Sequence, residues 1–150
     1  MNIKKGFTLI ELMVVVGIIG ALVAIIAPTS FKALEKSKVT AIEADYRAIK
    51  TAVMVYYADT GGWPSKGSEE KAFITGDGTP NWGGPYLENW KNENVFGGRY
   101  SIISENERLM LEVTNVPTST VKKLKGDLGT SVGTNGKTSD AVRILITRTN

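Results

Sequence analysis

The spacing of apolar positions changes rhythm along the chain. From Phe7 to Ala27 it is almost wholly apolar, FTLIELMVVVGIIGALVAIIA, broken by Thr8, Glu11, Gly17 and Gly20. As a helix, such a run is about 30 Å long, enough to cross the hydrocarbon core of a bilayer. After Pro28 the pattern becomes periodic. Phe31, Leu34, Val39, Ile42, Tyr46, Ile49, Val53 and Tyr56 recur every three to five residues, with charged residues between them. That predicts an amphipathic helix with one stripe seeking a core. No Pro or Gly interrupts residues 29–60, and Gly61-Gly62 ends the pattern. The two halves predict one rod from about Phe7 to Ala58, about 75–80 Å long.

Residues 61–98 read as a long connector rich in Gly, Pro and Asn, its turns pinned by Trp63, Trp82, Tyr86, Leu87 and Trp90. Beyond it, RYSIIS (residues 99–104) and LMLEVT (residues 109–114) are β-rich runs, with ENER between them as a hairpin signal. Pro117 opens a short helix near residues 118–128, which Thr118 or Ser119 can cap. Val121, Leu124 and Leu128 form its stripe and Gly129 stops it. Residues 130–140 read as a loop and AVRILIT (residues 141–147) as a closing strand. The expected fold class is α+β: a long N-terminal helix packed by a small antiparallel β-sheet head carrying a short extra helix.

Composition narrows the chemistry. The chain has 150 residues, no cysteine and no histidine. Disulfides, thiol nucleophiles and Cys-based metal sites are excluded, and the usual catalytic base and commonest zinc ligand are missing. No Gly-rich phosphate loop follows a strand, so an enzyme reading lacks a constellation of groups to carry it.

Glu11 is the anomaly. A carboxylate within such a segment costs about 2.5–3.5 kcal/mol on insertion scales, so it needs a partner or a role. No Lys, Arg or His lies between Phe7 and Ser30. A neutralising cation must then come from another chain or from an amine made by cutting this one. The bland alternative is a Glu at the membrane interface reaching for headgroups. An ordinary secretory signal is a poor fit, because the apolar run exceeds the usual ~7–15 residues. Lys4 and Lys5 ahead of the run predict an N-terminus on the cytoplasmic side.

KKG followed by FTLIELMVVVGIIGALVAIIAP resembles the class III leader and N-terminal helix of type IV pilins and their pseudopilin relatives. GWP and GPYL in the connector also resemble the αβ-loop of major pseudopilins and related pilins. The resemblance implies a leader over residues 1–6, a transmembrane and filament-core helix over 7–28, an amphipathic half over 29–60, an αβ-loop over 61–98 and a head over 99–150. It implies that prepilin peptidase cuts after Gly6 and that Phe7 becomes the N-methylated first residue. Glu11 is then the assembly glutamate, pairing with the N-terminal amine of a neighbouring subunit. Pro28 stands where the family carries a helix-kinking proline, and Gly17, Gly20 and Pro28 mark a segment that can unwind in a fibre. The implied partners are copies of the chain itself, prepilin peptidase, an assembly platform and minor pilins, and the membrane before assembly. The implied location is the cytoplasmic membrane as a single-pass protein, then an extracellular pilus or pseudopilus. No cofactor is implied.

Several weaker readings stand beside this one. Asp127 and Asp140, with Glu69, Glu70 and Asp77, could offer oxygens to calcium, but they lack a regular ligand spacing, and solvated loop acids are the stronger reading. Lys122, Lys123, Lys125, Lys137, Arg143 and Arg148 could form a basic patch for nucleic acid. Loss of the leader would remove two lysines, leaving 16 basic side chains against 15 acidic ones, so the totals carry no nucleic-acid footprint. The connector aromatics could hold a ligand such as a sugar, or simply pack on the head, which is the stronger reading. Two function classes follow: a subunit of a type IV pilus, or of a secretion or DNA-uptake pseudopilus, and a membrane-tethered binding module.

Overall fold

The two rhythms of apolar residues resolve into one helix. In the computed structural model, which describes residues 6–134 and 141–149, α1 runs from Leu9 to Thr60 with Pro28 inside it. The chain divides into two compact units, Met1–Ser37 and Lys38–Asn150.

In the first unit every large apolar side chain from Phe7 to Leu34 is exposed. Periodicity puts Phe31 and Leu34 on the core-seeking stripe; they are 72% and 56% exposed and belong with the apolar half. At Pro28 the missing N–H leaves one carbonyl of the preceding turn without its helical donor. The following hydroxyls also turn back, Thr29 and Ser30 both donating to the Ile26 carbonyl at 2.7 and 3.1 Å.

In the second unit the stripe continues as expected. Val39, Ile42, Tyr46, Ile49, Val53 and Tyr56 are buried in one core with the inward side chains of a four-stranded antiparallel sheet. The strands are β1 (Tyr100–Glu105), β2 (Arg108–Thr114), β3 (Val132–Thr134) and β4 (Ala141–Arg148), in the order β1-β2-β4-β3. Alternation is clean on β2, where Leu109, Leu111 and Val113 point inward and are fully buried. The β1–β2 turn is Asn106-Glu107, both at positive φ (49° and 56°), the two-residue geometry that matches strand twist. Tyr46 ties helix to sheet by donating to the Leu145 carbonyl of β4 at 2.7 Å.

Three local expectations change. The Gly/Ser/Thr/Asn stretch read as a loop over 130–140 contains β3, which pairs Val132 with Ile144 and Thr134 with Val142. A three-residue strand with one apolar side chain has no periodicity of its own; the free side of β4 makes it. The helix α2 (Thr118–Leu128) has Pro117 at its N-cap, and neither Thr118 nor Ser119 caps it by a side-chain hydrogen bond. Pro117 enters at φ −59° and its carbonyl takes the Val121 N–H, so Thr118 already lies inside the first turn. The connector contains a π-helical turn, Lys71–Thr75, that drives Ala72 and Phe73 into the core.

That connector is folded back by specific bonds. Phe73's carbonyl accepts from the Tyr86 and Leu87 amides, and the Trp82 indole donates to the Ala72 carbonyl at 2.7 Å. The buried Glu69 carboxylate accepts the Ile102 amide at 2.8 Å, filling a position on the outer edge of β1 that a further strand would take. Asn94 accepts from the Phe96 and Gly98 amides and donates to the Thr114 carbonyl.

Candidate functional site

The residues singled out at the N-terminus lie together at the start of α1. Thr8 is its N-cap. Glu11, three residues later, reaches back to accept both the Thr8 amide at 2.8 Å and the Thr8 hydroxyl at 2.7 Å. The Glu11 amide donates to the Thr8 hydroxyl oxygen at 3.3 Å, closing a reciprocal capping box. Hydropathy predicts a cation for Glu11; within the described residues the carboxylate is instead met by neutral donors at a helix N-terminus, where the helix dipole favours negative charge. Thr8-Leu9-Ile10-Glu11 carries that signal locally, as the T-x-x-E of a capping box at the start of an apolar run.

Around this carboxylate the surface is apolar and open. Phe7 is 84% exposed, and Leu9, Leu12, Met13, Val16 and Gly17 border a shallow apolar hollow on the helix. A Cβ added at Gly6, Gly17 or Gly20 would meet nothing within 4 Å. The helix is long and apolar enough to cross a membrane, and none of its apolar window is buried.

The other candidates separate. Asp127, at the end of α2, faces Glu43 of α1. Burial first, then the Asp127 charge and its hydrogen bond, push the Glu43 carboxyl above its ordinary range. Asp140 and Lys137 lie outside the described residues. Glu69 is committed to Ile102, and Asp77 accepts the Tyr56 hydroxyl at 2.6 Å. Burial alone would raise the Asp77 pKa, but hydrogen bonds from Tyr56 and Thr79 outweigh it and hold the carboxyl low. Among the described residues no three His, Cys, Asp or Glu side chains gather to hold a metal. Of the basic set, Lys122, Lys123 and Lys125 are exposed on α2, whereas Arg143 is engaged with Glu105 at 2.7 Å and Glu112 at 3.0 Å. All five connector anchors, Trp63, Trp82, Tyr86, Leu87 and Trp90, are partly buried against the core.

Comparisons with known proteins agree with this arrangement. The prokaryotic N-terminal methylation motif matches residues 1–27, and the PilW C-terminal family matches residues 33–117, more than half of the chain. The type II secretion system core protein G of Pseudomonas aeruginosa is 36% identical over 90 residues, 60% of this chain and 61% of that protein. The type IV major alpha-pilin of Moraxella bovis is 51% identical over 53 residues, 35% of this chain and 33% of that protein. These matches span less than two thirds of either relative. In fold, the chain resembles the major type IV pilin PilA1 from Clostridium difficile, with a TM-score of 0.54 at 23% identity over 76% of this chain and 97% of that one. A methylation motif at the head of an exposed apolar helix, a PilW C-terminal region behind it and a small antiparallel head together place this chain in the type IV pilin and pseudopilin family.

Proposed function

We propose that the chain is a structural subunit of a type IV pilus or related filament, polymerised from the membrane through its N-terminal helix. The observation that carries this is the first unit: an apolar helix exposed on every side, with one carboxylate at its start. Its large apolar side chains from Phe7 to Leu34 are all exposed, so the stable surroundings of this helix are lipid before assembly and other copies of the same helix after it. Prepilin peptidase cuts between Gly6 and Phe7, and the new Phe7 amine is methylated. Glu11, the fifth residue counting from Phe7, then pairs with a neighbouring subunit's amine. To do so it shares or exchanges its bonds to Thr8. Gly17, Gly20 and Pro28 lower the cost of unwinding the helix between them when subunits pack. The chain works as a structural element and not as an enzyme.

A second reading, the major pseudopilin of a secretion or DNA-uptake system, has its own support. The similarity to the secretion core protein runs for 90 residues, more than α1 contains, whereas the match to the Moraxella pilin runs for 53. Deleting the gene separates the two. Loss of surface fibres supports the pilus, and loss of secretion or transformation supports the pseudopilus.

The intact mass and N-terminal peptide of the protein from its own host test the shared core of both readings. A chain beginning at methylated Phe7 is the expected result. A chain still beginning at Met1 in cells that hold the peptidase overturns it and leaves a membrane-tethered binding module.

A further inference from the structure

In the second unit a cavity of about 280 Å³ opens between α1 and the connector, beside Trp90. Trp90, Leu87, Ile49 and Ala48 are its apolar lining residues. Its volume lies just below the usual ligand-site range of roughly 300–1,000 Å³, which suits one ring rather than an extended ligand.

The polar groups at this cavity fall into two kinds. Asp45 is fixed: its carboxylate accepts the Tyr100 hydroxyl at 2.8 Å and the Lys91 ammonium. Each carboxylate oxygen has a second lone pair, so Asp45 remains an oriented acceptor. Glu88 and Asn89, beside Trp90 in sequence, line the cavity and make no side-chain hydrogen bond or ion pair among the described residues. The Trp90 indole N–H likewise has no such partner, unlike that of Trp82.

From this juxtaposition we infer that the cavity binds a single pyranose ring, one C–H face stacked on Trp90 and its hydroxyls shared among Asp45, Glu88 and Asn89. An aromatic wall with carboxylate and amide groups around it matches a sugar, whose ring has an apolar face and a circumference of hydroxyls. An apolar side chain from a partner protein fits less well. It would offer no hydrogen-bonding group to Glu88 and Asn89, which stand exposed beside the opening. The inference is independent of filament assembly, because every group in it belongs to the second unit.

The test is saturation-transfer NMR on the full chain in a detergent without a sugar headgroup. The probes are methyl glucopyranoside, methyl galactopyranoside and N-acetylglucosamine, each added singly at millimolar concentration. The expected result is transfer to the C–H protons of one ring face of at least one probe. In a Glu88→Ala/Asn89→Ala variant that keeps the wild-type melting curve, affinity falls about tenfold, the scale of one good hydrogen bond. The Trp90 ring lies 6.0 Å from that of Phe73, centroid to centroid; Trp90→Leu abolishes the transfer, whereas Trp90→Phe keeps a ring there and retains part of it. Absence of transfer from every probe overturns the inference. So does transfer undiminished by the rim variant, or binding of N-acetyltryptophanamide in place of the sugars, which would mark a protein-docking cavity.

Discussion

Two carboxyl groups in the second unit respond to pH in opposite senses. Asp77, held low by the Tyr56 and Thr79 bonds, stabilises the fold above the ordinary carboxylate range. Its contribution fades as pH falls through its lowered value. Glu43, pushed up by burial and by Asp127, contributes fully below the ordinary range, and its contribution is lost as pH rises through its raised value. Replacing Glu43 by Gln removes that loss. The expected outcome is a higher melting temperature than wild type near neutral pH and little difference in mild acid, read from melting curves across pH. Thr120 makes a separate case. Its side chain is fully buried and its hydroxyl has no partner among the described residues. Thr120→Val keeps the shape and removes the orphaned group, so the head gains about 1 kcal/mol in chemical denaturation.

At the scale of elements, the head depends on how closely the connector approaches β2. A Cβ added at Gly98 would fall 1.9 Å from the Thr114 carbonyl oxygen and 2.5 Å from its carbon. Both atoms are backbone and cannot swing aside. Gly98→Ala therefore pushes the connector off the strand end, breaking the Asn94 bonds on either side, and costs about 2 kcal/mol or more. Equilibrium unfolding against wild type reads this directly. The same approach explains how a connector of this length stays ordered without a disulfide. Its Asp77 accepts from Tyr56 of α1, its Tyr86 donates to Asp59 of α1 and its Glu69 accepts from Ile102 of β1, hydrogen bonds that survive any redox state.

At the scale of the molecule, the two units ask different things of their sequence. Among the described residues the first has no buried apolar side chain, and Glu11 is bonded only to Thr8. The second holds the buried side chains. On the proposed function, Glu11→Ala abolishes filaments while the melting temperature of the head stays at its wild-type value. Electron microscopy of sheared cell surfaces and thermal melting of the purified chain give the two readouts. A drop in head stability matching the loss of filaments would assign Glu11 a folding role instead.

The amino-acid sequence alone determined the long helix, the burial of its Val39–Tyr56 stripe, the β1–β2 hairpin, the extent of α2 and the family resemblance of the N-terminus. All of these rest on local periodicity, turn chemistry or a contiguous motif, which can be read one segment at a time. Tertiary structure decided what depends on a partner distant in sequence. Val132–Thr134 becomes a strand because β4 has a free side. Glu69, which reads as a solvated loop acid, is buried because Ile102 offers an amide at the sheet edge. Asp127 faces Glu43, 84 positions earlier in the sequence, because α2 folds back toward α1. Trp90 walls a cavity because the connector closes over α1 beside Asp45. No window along the chain contains both members of such a pair, so no local pattern can announce it.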